Sequence, residues 1–133
     1  MSGKPEILCA GHDAVLNRTR RLILQRCFEV DLAESFVEAK SLLREQRFAL
    51  VLLCYTLTDE ECCAMAALIH SLPWETRILL LGQLRDGLVL QAGDEEFLTG
   101  GPAELVKKAA AMAGMGPEEV KDCLPDVPAR KSA

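Results

Sequence analysis

The sequence predicts a doubly wound α/β domain, with a five-stranded parallel sheet in the order 2-1-3-4-5 and a shortened or irregular fourth helix. Three observations lead there. Short apolar runs alternate with helix-period segments along the 133 residues, as βα units do. Runs one, three and four are continuously apolar, as strands covered on both faces are. Run two alternates and run five is short, which places both at sheet edges.

Strand one reads from Glu6 to Gly11, with Ile7, Leu8, Cys9 and Ala10 consecutive and apolar, and Gly11-His12-Asp13 breaks it. Ala14 to Cys27 reads as a helix. Its expected buried stripe is Leu16, Thr19, Ile23 and Cys27 with Leu22 beside them, while Asn17, Arg18 and Arg21 fall elsewhere. Strand two, Glu29 to Ala33, puts Val30 and Leu32 on one side and Asp31 on the other. Ser35 with Glu38 forms a capping-box pattern, and Phe36, Ala39 and Leu43 line the second helix.

The third run, Phe48 to Leu53, is the central strand. It passes Cys54 and Tyr55 into a second capping-box pattern, Thr58 with Glu61. Cys62, Met65, Ile69 and Leu72 form the third helix's stripe, and Pro73 stops it. Arg77 to Leu81 is strand four. Residues 83–93 contain Gly87 and lack helical patterning, so any helix there is short or irregular. Glu96 to Thr99 is strand five. Gly100-Gly101 turns the chain, Pro102 suits a first helical position, and Leu105, Ala109 and Met112 form the last stripe. The domain is expected to span 1–114, with 115–133 a flexible tail holding at most a turn or two of helix.

Composition narrows the function. Hydrophobic residues make up 50% of the chain and aromatics 5%, so the core is mainly aliphatic. The net charge of −5 argues against a broad nucleic-acid surface, and the arginines at 18, 20 and 21 read as a solvated helix face. No apolar run approaches the roughly 18 residues of a membrane span, and the start lacks a signal-peptide core. A cytoplasmic protein with no membrane or nucleic-acid partner is expected. Six cysteines without a CxxC pair support neither a zinc site of cysteine pairs nor a need for disulfides; Cys9 and Cys27 read as small hydrophobes.

Taken together, three stretches resemble the response-regulator receiver domains of two-component signalling, over about residues 6–113. Ile7 to His12 stands in the register of an opening ILxVDD strand, Phe48 to Cys54 in that of FDLVLLD, and Ala92 to Gly100 looks like a worn AGADDYLTKP. The resemblance implies a flavodoxin-like fold and a role in phosphorelay signal transduction. It also marks a degenerate pocket. Gly11 and His12 stand where receivers carry an acidic magnesium-binding pair, with only Asp13 nearby. Cys54 stands for the phosphate-accepting aspartate, Gly82 for the hydroxyl residue ending strand four, and Gly100 for the lysine after strand five. Magnesium requires hard oxygen ligands, which glycine side chains, imidazole and thiol do not supply.

The expectation is therefore a non-enzymatic pseudo-receiver, without catalytic residues, cofactor or metal, that acts by contact with another signalling protein or by self-association. Two alternatives stand beside it. One is a thiol-redox or soft-metal sensor, since His12 and Cys54 end adjacent strands and, with Asp13, have the right ligand types. The other is a phosphate-accepting response regulator using an unrecognised residue. Under the assigned register, aspartates introduced together at positions 11, 12 and 54 would converge into a weak magnesium site.

Overall fold

The structure, a computed structural model, describes residues 4–98 and 100–123. Five parallel strands form one sheet in the order β2-β1-β3-β4-β5, as the apolar patterns require. They are β1 (Glu6–Ala10), β2 (Glu29–Ala33), β3 (Leu50–Leu53), β4 (Arg77–Leu81) and β5 (Glu95–Phe97). The helices are α1 (Ala14–Leu24), α2 (Phe36–Glu45), α3 (Asp59–His70), α4 (Pro102–Met112) and α5 (Pro117–Cys123).

Alternation along the strands builds two cores. Leu8, Val51, Leu53, Ile78 and Leu80 meet α2 and α3 on one face. Ile7, Leu50, Leu52, Leu79 and Leu81 meet α1 and α4 on the other. Val51 and Leu52 are adjacent, point to opposite faces and are both fully buried. Each such aliphatic side chain contributes about 2 kcal/mol on burial, so this central strand is stabilised from both sides.

The first helix differs from its expected stripe. It ends at Leu24, and its fully buried residues are Asn17 and Leu24. Leu22 is 66% exposed. A polar residue takes the inner face because its partners are there: the Asn17 amide donates to the Gly11 carbonyl at 2.9 Å, and its oxygen accepts from the Cys9 thiol at 3.9 Å. Cys27 is disulfide-bonded, where the sequence suggests a plain small hydrophobe.

The capping boxes divide. Thr58 and Glu61 form the complete reciprocal pair. At α2 the Ser35 hydroxyl accepts from the Glu38 N–H, but the Glu38 carboxylate reaches back one residue further, to the Glu34 N–H at 2.7 Å.

Between β4 and β5 there is no helix at all among the described residues. The connection is pinned instead. Arg85 donates to Asp59 at 2.8 Å and to the Tyr55 carbonyl at 2.6 Å. Leu88 enters the core between. At the far end the Asp94 carboxylate accepts from the Ile78 and Gln91 N–H groups and meets the His70 imidazole at 2.8 Å. Fixed polar anchors thus replace the packing stripe a helix would supply.

Strand five is Glu95–Phe97 rather than 96–99, and Thr99 lies outside the described residues. Beyond the expected boundary at 114, α5 follows and Met115 and Val120 pack on the second core. Residues 124–133 of the expected tail lie outside the described residues. No helix of the described residues is long and apolar enough to cross a membrane.

Candidate functional site

Doubly wound sheets place their sites beyond the carboxyl ends of the central strands. Here Gly11, Cys54 and Gly82 follow β1, β3 and β4 directly. Parallel pairing carries β1 and β3 into contact, and the Cys54 N–H donates to the Ala10 carbonyl at 2.9 Å.

Gly11 is where this contact is tightest. A Cβ on Gly11 would lie 2.5 Å from the Cys54 Cβ and 2.9 Å from the Thr56 hydroxyl. Those separations are below van der Waals contact, and shortening the Cys54 side chain does not remove its Cβ. No side chain fits at position 11 without moving β3. The expectation that aspartates at positions 11, 12 and 54 would assemble a magnesium site is therefore corrected, because the first of them has no room.

His12 turns away from the strand ends. Its N–H donates to the Thr56 hydroxyl at 2.8 Å. Its Nδ1 lies 2.9 Å from the Glu34 carbonyl, which can only accept, so Nδ1 carries a proton. Its Nε2 sits 2.8 and 2.9 Å from the two Glu61 oxygens. The hydrogen bond to Glu61 holds the imidazole above its ordinary pKa, only partly offset by desolvation. Glu61 is held below the usual carboxylate range, first by the Thr58 N–H and further by His12. The same Glu61 oxygen closes the capping box, so one carboxylate ties the β1–α1 turn to the start of α3.

Asp13 is also committed. It caps α1, accepting from the N–H groups of Val15 and Leu16. Thus Asp13, His12 and Cys54 do not converge into a ligand set, and among the described residues no group of three His, Cys, Asp or Glu side chains is placed to hold a metal ion.

Cys54 is fully buried, and its cationic neighbour is not His12 but Arg20. The Arg20 Nη1 donates to the Cys54 Sγ at 2.8 Å, and the guanidinium stands 6.0 Å from the Tyr55 ring centroid. Arg20 thus lies inward, where the arginine cluster at 18, 20 and 21 suggests a solvated face. The signal that locates it is helical spacing: it stands three residues after Asn17 and four before Leu24, on the inward side of α1. Behind Cys54, burial pushes the Cys9 thiol up to about 12 despite the nearby Arg20 charge, so Cys9 stays protonated.

Gly82 and Gly100 stand beside a hollow, although a Cβ on Gly100 would lie 2.6 Å from the Phe97 ring. With Arg20, Tyr55, Phe97 and Leu105 they line a cavity of about 320 Å³ at the strand ends, between α1 and the start of α4. Gly82 has φ +117°, which L side chains rarely adopt. Sequence reading found both glycines but not the hollow beside them, which depends on how α1 and α4 approach.

No family model matches the chain, and no characterised protein matches it in sequence. Solved structures do match in fold. A response regulator receiver protein from Burkholderia phymatum superposes with a TM-score of 0.68 at 17% identity, over 85% of this chain and 98% of that one. A CheY-like receiver domain protein from Methanospirillum hungatei gives 0.65 at 17%, over 90% and 99%. Vibrio cholerae chemotaxis protein CheY4 gives 0.64 at 16%, over 83% and 99%. Order 2-1-3-4-5, the flanking helices and these superpositions together give the chain the flavodoxin-like fold of response-regulator receiver domains.

Proposed function

We propose that the protein is a non-enzymatic pseudo-receiver, a signal-transduction module that works by contact with another signalling protein or with a second copy of itself. The observation that carries this reading is the packing of Gly11 against Cys54. In the receiver register these positions belong to metal binding and phosphate acceptance. Here one has no room for a carboxylate, and the other holds a buried thiol engaged by Arg20. The neighbouring His12 and Asp13 are spent on holding the β1–α1 turn. Gly82 and Gly100 offer no side chain to a transferring phosphoryl group. What remains is a rigid fold with intact cores, which suits a binding module.

A thiol sensor is less well supported. Its proposed activating imidazole is paired with Glu61, and Cys54 has no exposed surface.

The test is incubation with acetyl phosphate and magnesium, read by intact mass and by thermal melting. No phosphoryl adduct and no magnesium-dependent rise in Tm are expected. A stoichiometric adduct on any residue overturns the pseudo-receiver reading.

A further inference from the structure

The cavity beside the degenerate pocket has a composition that its surroundings do not explain. The chain carries 20 acidic residues against 15 basic ones, yet none of the residues lining this cavity is acidic. The lining is aliphatic and aromatic side chains and glycine backbone, with Thr19 and Tyr55 as its uncharged polar groups and Arg20 as its single charge. Among the described residues Arg20 has no carboxylate partner within ion-pair distance. It donates to the Cys54 sulfur through Nη1, reaches the Cys9 thiol, and stands 6.0 Å from the Tyr55 ring centroid. A guanidinium has five N–H donors in a planar fork, so most of its donor capacity is left for something else.

A partly buried cation in an apolar enclosure is a poor structural element by itself. Thiol sulfur and the Tyr55 ring are weaker partners for a guanidinium than a carboxylate is. The same arrangement is well suited to a ligand with an apolar body and one anionic end, for which the fork supplies paired hydrogen bonds. A volume of about 320 Å³ falls at the small end of ligand-sized pockets. Gly82 and Gly100 are among the lining residues, and the Phe97 ring packs so close to Gly100 that a Cβ there would lie 2.6 Å from it.

We propose that this cavity binds a small amphipathic carboxylate, with its carboxylate on the free edge of the Arg20 guanidinium and its hydrocarbon part against Phe97 and Leu105. The proposal stands on the cavity and does not depend on the signalling role.

The experiment is a titration of the uniformly labelled protein with hexanoate and with phenylacetate, followed by amide chemical shifts. The corresponding primary amides and inorganic phosphate serve as comparison probes. Saturable shifts confined to Tyr55, Gly82, Gly100, Gly101 and neighbours are expected for the carboxylates. The amides should bind at least about tenfold more weakly, since they lose the charge-assisted pair. Phosphate alone should bind weakly, because it gains nothing from the apolar walls.

Arg20→Gln should lower carboxylate affinity by a similar factor. Ile23→Trp, which fills the cavity from α1 and leaves Arg20 in place, should abolish the shifts. If Arg20→Gln fails to fold, the Ile23→Trp and amide arms decide alone. The proposal is overturned if neither carboxylate shifts these amides with a Kd of about 1 mM or tighter, which is about −4 kcal/mol of binding free energy. It is equally overturned if amides match carboxylates, if phosphate matches them, or if Ile23→Trp leaves binding unchanged.

Discussion

The two flanks of the strand-end region are built in opposite ways. On the β1–α3 flank the space is filled. Gly11 abuts Cys54, and His12, Thr56, Glu34 and Glu61 form one hydrogen-bonded network that binds the β1–α1 turn to α3. On the β4–α4 flank there is a hollow, lined in part by Gly82 and Gly100, in which Arg20 is the only charge among the described residues. The difference teaches that the strand ends of one sheet can serve packing on one side and leave a concavity on the other. One flank is a structural joint, where hydrogen bonds tie the β1–α1 turn to α3 and stability is at stake. The other holds a concavity, where less stability is at stake.

That contrast is easiest to break with glycine. Gly11→Ala forces a Cβ to 2.5 Å from that of Cys54, so β1 or β3 must shift, and we expect a loss of about 3 kcal/mol or failure to fold. Gly82→Ala meets nothing closer than the Tyr55 Cβ at 3.3 Å and suffers mainly from its positive φ, at about 1–2 kcal/mol. Chemical denaturation of both variants measures the pair. Equal losses would erase the distinction between a filled flank and an open one.

A smaller effect should come from His12. Its folded pKa is raised above the ordinary 6.5, so its contribution is fully present below that value and fades as pH rises through the raised one. Glu61 is lowered from 4.5, so its contribution is present above that value and is lost as pH falls through the lowered one. The ion pair is therefore strongest between about 4.5 and 6.5. His12→Gln should lower Tm most in that window and least near pH 9, and the size is limited because the imidazole is largely exposed. A Tm difference that is flat across this range would show that the histidine acts only as a neutral hydrogen-bonding group.

The smallest effect concerns the thiols. Cys54, Cys9 and Cys62 are fully buried and Cys63 is only partly so. In folded protein a thiol reagent should modify Cys63 first and Cys54 only on the timescale of opening. Peptide mapping after brief labelling reads the order. Cys54 reacting ahead of Cys63 would mean that the strand ends open more readily than the packing around Gly11 suggests.

Much of the fold was legible because burial on both faces leaves a one-dimensional trace. Continuous apolar runs at Ile7–Ala10, Phe48–Leu53 and Ile78–Leu81 mark the inner strands, and the alternating and short runs mark the edges. The Thr58–Glu61 box was legible too, since a cap is a local arrangement three residues long. The α1 face was not. Apolar periodicity selects Leu22 and overlooks Asn17, because it does not register a polar side chain satisfied by a turn carbonyl and a neighbouring thiol.

What the sequence by itself determined is the doubly wound sheet, its strand order and the identity of the residues at the strand ends. These follow from hydrophobic pattern and local spacing, which act along the chain. Tertiary structure alone decided what those residues do. Whether His12 meets Cys54 or Glu61, whether Arg20 faces water or a sulfur, and whether a glycine borders a clash or a cavity all depend on approaches of a few ångströms between segments 30 to 50 residues apart. Such contacts leave no periodic trace, because they are set by how helices seat on the sheet and by which buried polar groups must find partners there.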